Sequence, residues 1–207
     1  TLGVLGELGK SLRPARYVPN EEALGHVLEQ LQGAEPPTEL DMEWHSVGDE
    51  QATKLANSLR SNTSVTSLKL RYNELRDPGA TALAGALAVH PALTSLTLGN
   101  NIIGSAGGAT IASAVAERGV LRGLDMRYNV MGPELSSEFT RLTSLTRLDI
   151  SANRLHSLPA GLGGLTGLSE LSIERNHYMA PRTLMEISGT ADLLSAIRGQ
   201  GGSQAGS

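Results

Sequence analysis

The 207-residue sequence predicts an α/β solenoid, a curved horseshoe with short parallel strands on its concave face and helices on its convex face. Three observations predict it. An apolar pattern recurs at fixed spacing, every copy alternates apolar and polar residues over a few positions, and an asparagine follows at the same place. The clearest copy is Val65-x-x-Leu68-x-Leu70-x-x-Asn73-x-Leu75, and 28 residues on stands Leu93-x-x-Leu96-x-Leu98-x-x-Asn101-x-Ile103. Another 28 gives Leu121-x-x-Leu124-x-Met126-x-x-Asn129-x-Met131. Counting back from Leu68 gives Leu40-x-Met42-x-x-His45-x-Val47, with His45 in the asparagine place. Beyond Leu121 the spacing shortens to 24, reaching Leu145, Leu148, Ile150, Asn153 and Leu155, and then to 23, reaching Leu168, Leu171, Ile173 and Asn176.

Each element follows from these residues. Alternation such as Leu68 and Leu70 puts two side chains on one face of a short strand. The asparagine lies where the chain turns, so its amide can satisfy backbone groups that a buried bend leaves unpaired. Stacked copies make a ladder of such amides. The second half of each long copy is helical. Leu83, Ala84 and Leu87 share a face, as do Ala52, Leu55, Ala56 and Leu59, and then Ile111, Ala112 and Val115. Asp77-Pro78 supplies a cap and a first-turn proline. No single repeat covers its own apolar face, so neighbours must stack. Helices are wider than the strands opposite them, so the long repeats should curve the sheet strongly up to about Leu121 and the short ones less.

These segments resemble the leucine-rich repeat, L-x-x-L-x-L-x-x-N-x-L, over about residues 37 to 187. Residues 37 to 120 resemble the 28-residue class of ribonuclease inhibitor and NOD-like receptors, whereas residues 145 to 167, with Leu155, Leu158-Pro159, Leu162 and Leu165, resemble the 23-residue class. The expected organisation is an N-terminal cap with a degenerate repeat over 1–36, the repeat array over 37–187, and a closing helix and flexible tail over 188–207. In the cap, Asn20 to Gln32 reads as a helix with Val27, Leu28 and Leu31 inward, and Pro14 stands in the strand place, where it weakens pairing. At the other end Pro181, Ile187, Leu193, Leu194 and Ile197 suit the closing helix, and Gly199 to Ser207 reads as tail. Opening at Thr1 rather than Met, the chain reads as a fragment or a processed form.

Composition narrows the function. A formal net charge of −4 argues against a phosphate-coating nucleic-acid binder, so no nucleic acid is expected as partner. No apolar run approaches the roughly 20 residues that cross a bilayer, so no membrane partner is expected either. Absence of cysteine removes disulfides and thiolate chemistry and leans toward a reducing, cytoplasmic setting. Gly9-Lys10-Ser11 lacks the first glycine of a phosphate loop, Val4 standing in its place, and Gly161-x-Gly163 lacks a third, Thr166 standing there. The five histidines show no i, i+4 pairing with a glutamate and no serine lies in G-x-S-x-G, so neither enzyme activity nor a metal or other cofactor is expected. Asn62-Thr63-Ser64 is a glycosylation sequon.

The residues between the buried leucines should form columns on the open face, stacked about 4.8 Å apart. One column reads Trp44, Tyr72, Asn100, Tyr128, Ala152, Arg175 and holds three of the chain's six aromatics. A second reads Glu43, Arg71, Gly99, Arg127, Ser151, Glu174, and a third Asp41, Lys69, Thr97, Asp125, Asp149, Ser172. Glu43 beside Arg71 and Asp41 beside Lys69 are alternatively read as cross-strand pairs that solubilise the sheet. Aromatics with interleaved arginine are enriched at protein-recognition sites. The expected partner-binding set is therefore Trp44, Tyr72, Asn100, Tyr128, Arg71, Arg127, Lys69 and Asp125, with Gly99 leaving a notch between two cations for an acidic partner side chain. Asn100, facing outward, is expected to tolerate alanine at under about 0.5 kcal/mol.

The resemblance implies a non-enzymatic interaction module, the scaffold or sensor part of a larger intracellular signalling protein, and leaves the partner protein unnamed. Two alternatives stand beside it. Likeness to the Ran GTPase-activating protein, and of Pro181-x5-Ile187-Ser188-Gly189 with Leu193-Leu194 to the linker of Roco proteins, implies a small GTPase as partner, with Arg71 or Arg127 supplying charge. The other is the substrate-recognition part of an effector.

Overall fold

The computed structural model describes residues 20–176, 179 and 182–200. Gly9-Lys10-Ser11, Pro14, His177, Pro181 and the expected tail over 201–207 lie outside them. Helix α1 (Asn20–Gln32) leads into β1 (Glu39–Asp41), α2 (Asp49–Leu59), β2 (Ser67–Lys69), α3 (Asp77–Leu87), β3 (Ser95–Thr97), α4 (Ser105–Arg118) and β4 (Gly123–Asp125). A 3-10 turn (Ser137–Arg141), β5 (Arg147–Asp149), a second turn (Ala160–Gly164), β6 (Glu170–Ser172), a third turn (Arg182–Glu186) and α5 (Thr190–Gln200) follow.

The six strands form one parallel sheet in chain order, Leu40 aligned with Leu68, Leu96, Leu124, Leu148 and Leu171. These leucines and the next apolar position, Met42, Leu70, Leu98, Met126, Ile150 and Ile173, are buried and meet the inward helix stripes in one continuous core. The sheet thus closes one side of the core, while α2, α3 and α4 pack in succession on the other.

Five buried asparagines hold the strand ends. The Asn101 side-chain N–H donates to the carbonyls of Leu70, Leu98 and Gly99, and its carbonyl accepts from the Leu75 N–H of the preceding repeat. Asn73, Asn129, Asn153 and Asn176 repeat the arrangement, each reaching back one repeat. His45, in the equivalent place, instead donates from Nδ1 to the Glu43 carbonyl. A second ladder, of hydroxyls, precedes the strands: Thr66 donates to the Thr38 carbonyl, Thr94 to Thr66, Thr146 to Arg122 and Ser169 to Thr146.

Two expectations are corrected, and the sequon acquires a structural role. Asp77 occupies the first turn of its own helix, but its carboxylate accepts from the Gly104 N–H at the start of the next repeat's helix. Asp49 likewise accepts from Arg76 and Gly79 N–H, so each cap is supplied across repeats, where it satisfies orphan helix donors and also fastens neighbours together. Gly199 and Gln200 belong to α5 rather than to a tail. Asn62 is 4% exposed, its amide N–H donates to the Leu31 carbonyl and its carbonyl accepts from Ser64 and Val65. The sequon is therefore a buried turn fastener whose side-chain nitrogen is engaged.

Leu193, Leu194 and Ile197 of α5 are buried as expected. Arg198 donates to the Gly163 carbonyl and the Leu171 N–H donates to the Thr190 hydroxyl, so this helix covers the end of the array and satisfies a group on the edge strand.

Candidate protein-binding face

The aromatic column does not lie in the strands. From buried Leu68 and Leu70, strict alternation would turn residue 72 inward, yet Tyr72 is half-buried and Asn73 is the buried residue. The backbone explains the switch: Trp44, Tyr72, Asn100, Tyr128, Ala152 and Arg175 all have φ between 51° and 63°. From Tyr72 onward one left-handed residue per repeat reverses the local chain, turning its own side chain to the rim and delivering the following asparagine to the core, whereas the first repeat has two, Trp44 and Ser46, and leaves His45 half-buried. Each such residue other than asparagine sits in a conformation that costs an L-residue roughly 1–2 kcal/mol. The conformation is held by the ladder, since Trp44, Tyr72, Asn100 and Tyr128 N–H groups donate to Arg71, Gly99, Arg127 and Ser151 carbonyls. The expectation that Asn100 tolerates alanine is accordingly corrected. Asparagine suits positive φ, and alanine there costs about 1 kcal/mol.

Within the column the Trp44 and Tyr72 rings stack, their centroids 3.9 Å apart and their planes 6° from parallel. Tyr128 is 43% exposed, one of the large apolar side chains most open to solvent among the described residues. Arg175 reaches past Ala152 to lie 5.7 Å over the Tyr128 ring and donates to its hydroxyl.

The cationic notch at Gly99 is filled by the protein itself. Arg71 crosses above Gly99 to Asp125, 3.7 Å away, and Arg127 contacts Asp125 at 3.3 Å and Asp149 at 3.6 Å. A side chain at residue 99 would start 3.1 Å from the Asp125 carboxylate and 3.2 Å from Arg127, so glycine is what lets these groups meet. The expected acidic partner group is thus replaced by Asp125. Burial pushes the Asp125 carboxyl above its ordinary range, with Asp149 adding, against the backbone N–H and charge of Arg127 and the charge of Arg71. Nor does Arg71 pair with Glu43. Lys69 does meet Asp41, at 3.8 Å, and also Glu39. Among the described residues five buried side-chain polar atoms lack a hydrogen-bond partner, and four of them, Arg71 Nε, Thr97 Oγ1, Asn100 Nδ2 and Arg127 Nε, lie on this face.

The expected set therefore divides. Trp44 and Tyr72 form one unit and Arg71, Asp125 and Arg127 another, Asn100 and Tyr128 lie farther along the rim, and Lys69 is tied to the first strand. A further column went unread: Glu39, Ser67, Ser95, Gly123, Arg147 and Glu170, the first residues of the strands. With the third column it lines a hollow of about 250 Å³ across β3 to β6. The repeat register already contained this column, but its mixed residue types gave no compositional signal. No group of residues suited to a metal ion occurs among the described residues, and no helix among them is long and apolar enough to cross a membrane.

Residues 61–84 and 144–165 match two family models, each described as a leucine-rich repeat. No curated protein sequence matches the chain. Among solved structures the chain is similar in fold to leiomodin-1 actin-binding site 2, with 18% identity over 93% of this chain and 95% of that one, at a TM-score of 0.53. An internalin from Listeria monocytogenes shares 26% identity over 61% of this chain and 36% of its own length, at a TM-score of 0.43. The Arabidopsis receptor kinase HAESA, solved with the peptide hormone IDA and the co-receptor SERK1, shares 17% identity over 72% of this chain and 28% of its own length, at a TM-score of 0.49. A parallel sheet in chain order, an asparagine ladder joining neighbouring repeats and family matches in both halves lead to one conclusion: the chain is a leucine-rich repeat protein.

Proposed function

We propose that the chain is a non-enzymatic protein-binding module that engages its partner on the concave face and its aromatic rim, as the scaffold or sensor part of a larger cytoplasmic signalling protein. The observation that carries this reading is the run of rim residues held at positive φ, with Trp44 stacked on Tyr72 and Tyr128 open to solvent. Strained aromatics left partly open to solvent are poor choices for solubility and good anchors for recognition, because they bring large area at small entropic cost. The Asn100 side-chain nitrogen, buried in the same column without a hydrogen-bond partner, supports the same face. The GTPase-linked alternative has no such support, since Arg71 and Arg127 are engaged by Asp125.

The test is capture of a partner by the native chain, followed by titration of variants. Tyr72→Ala weakens binding by about 1–3 kcal/mol and Trp44→Ala comparably. Their effects are not additive, because the two rings stack on each other. Convex substitutions such as Lys54→Ala and Arg118→Ala leave binding unchanged. Loss of binding in the convex variants with retention in the aromatic ones would move the site to the other side.

A further inference from the structure

The hollow on the sheet is distinct from the aromatic rim and has its own chemistry. Its floor is Thr97, Asp125, Asp149 and Ser172, and Ser95 and Gly123 form its low wall. Gly123 is why it exists, since the neighbouring strands carry Ser95 and Arg147 at the same place and glycine contributes nothing to fill it. At about 250 Å³ it falls below the roughly 300–1,000 Å³ of small-molecule sites, which suits a single side chain delivered by a partner.

The charges in the hollow are asymmetric. Asp125 and Asp149 line it, whereas Arg71 and Arg127, which face those aspartates, stand outside the lining. At its rim Arg147 is 3.2 Å from Glu170, both side chains more than 60% exposed, a pair easily parted. The lining therefore carries three carboxylates against one guanidinium. Thr97 Oγ1, buried and without a partner, adds an acceptor in the same floor. Asp125 and Asp149 already accept from the Arg127 and Ser151 N–H groups and the Ser151 hydroxyl, and their remaining lone pairs, with the Thr97 hydroxyl, offer acceptors on a side-chain-sized space to a group that only donates.

We propose that this hollow receives the cationic end of a lysine or arginine side chain carried by an extended segment of the protein partner. The proposal rests on the concave-face reading and gives it a chemical specificity. A cation entering beside Asp125 would replace hydration that burial has removed from the carboxylate. Because burial also pushes that carboxyl upward, with Asp149 adding and Arg127 and Arg71 opposing, binding weakens as acid protonates it.

The experiment titrates the full chain with Nα-acetyl-lysine methylamide and Nα-acetyl-arginine methylamide, with the uncharged Nα-acetyl-norleucine methylamide as control, following backbone amide shifts by NMR. The expected result is saturable shifts centred on Thr97, Gly123 and Asp125 with a basic probe, and at least about tenfold weaker binding of the norleucine probe. Gly123→Leu, whose Cβ meets only Ser95 Oγ at 3.9 Å, fills the hollow and abolishes the response. Equal response to norleucine, shifts centred elsewhere or no shifts at all would overturn the proposal, and these readouts need only the native chain. The same outcomes leave the concave-face reading standing if Tyr72→Ala still releases the captured partner. If the basic probe binds as expected but the aromatic variants keep the partner, the aromatic reading fails instead.

Discussion

The two halves of the array share one sheet and differ in everything behind it. From residue 39 to 125 the strands repeat every 28 residues and are backed by α2, α3 and α4, whereas from 125 to 172 they repeat every 24 and then 23 and are backed by 3-10 turns. The strand register and the asparagine ladder pass through the change without a break. The strand, the left-handed residue and the asparagine therefore form a module complete in itself, and the convex side needs only to cover it. What the change alters is how neighbours are joined. Asp49 and Asp77 tie helices of the first half through their side chains, while in the second half α5 closes directly on the Ala160–Gly164 turn.

Gly163→Ala breaks the joint between α5 and the second half. Its Cβ would start 2.5 Å from the Leu194 carbonyl oxygen and 2.8 Å from the Arg198 nitrogen, both backbone atoms that cannot turn aside. A loss of about 3 kcal/mol in denaturant melts is expected. Gly85→Ala in the first half meets only the far end of the Arg60 side chain, so the gain in helix propensity decides and the chain is neutral or more stable by about 0.5 kcal/mol.

If the strand module is independent of its backing, Asn101→Ala and Asn153→Ala must cost the same. Each removes side-chain bonds to three carbonyls and one N–H in a buried turn, and each should lose about 2 kcal/mol. A difference of more than about 1 kcal/mol, measured under identical conditions, would show that the convex side feeds into the ladder.

The left-handed column tests the same point at smaller scale. Asn100→Ala costs about 1 kcal/mol, and Ala152→Gly in the other half stabilises by about 0.5, because relief of positive φ outweighs the entropy of glycine. Thermal melts of both variants check the signs.

The smallest effect is confined to the first half. His90 is 2% exposed, in the place that Asn62 occupies one repeat earlier, and burial, with Arg118 adding, holds its ring below the ordinary value of 6.5. The folded chain keeps the ring neutral while the unfolded chain takes up a proton as pH drops below about 6.5, so stability falls with acidity across that range and is unaffected above it. His90→Asn removes this slope from a series of melts across pH.

How much of this was legible beforehand follows the same division. Spacing and alternation determine the strands, the helix stripes and the role of Asn73, Asn101, Asn129, Asn153 and Asn176, because repeat stacking depends only on neighbours in sequence register. The columns could be written down, but not what their members touch. Tertiary structure decided that Asp77 caps the following repeat, that Arg71 passes over Gly99 to take up Asp125, that Arg175 reaches Tyr128 past Ala152, and that Gly123 opens a hollow. Each of these depends on the reach and direction of a side chain across a gap left by a small residue one repeat away. A periodic pattern carries no such information, because it assigns positions to faces and leaves distances between side chains to packing.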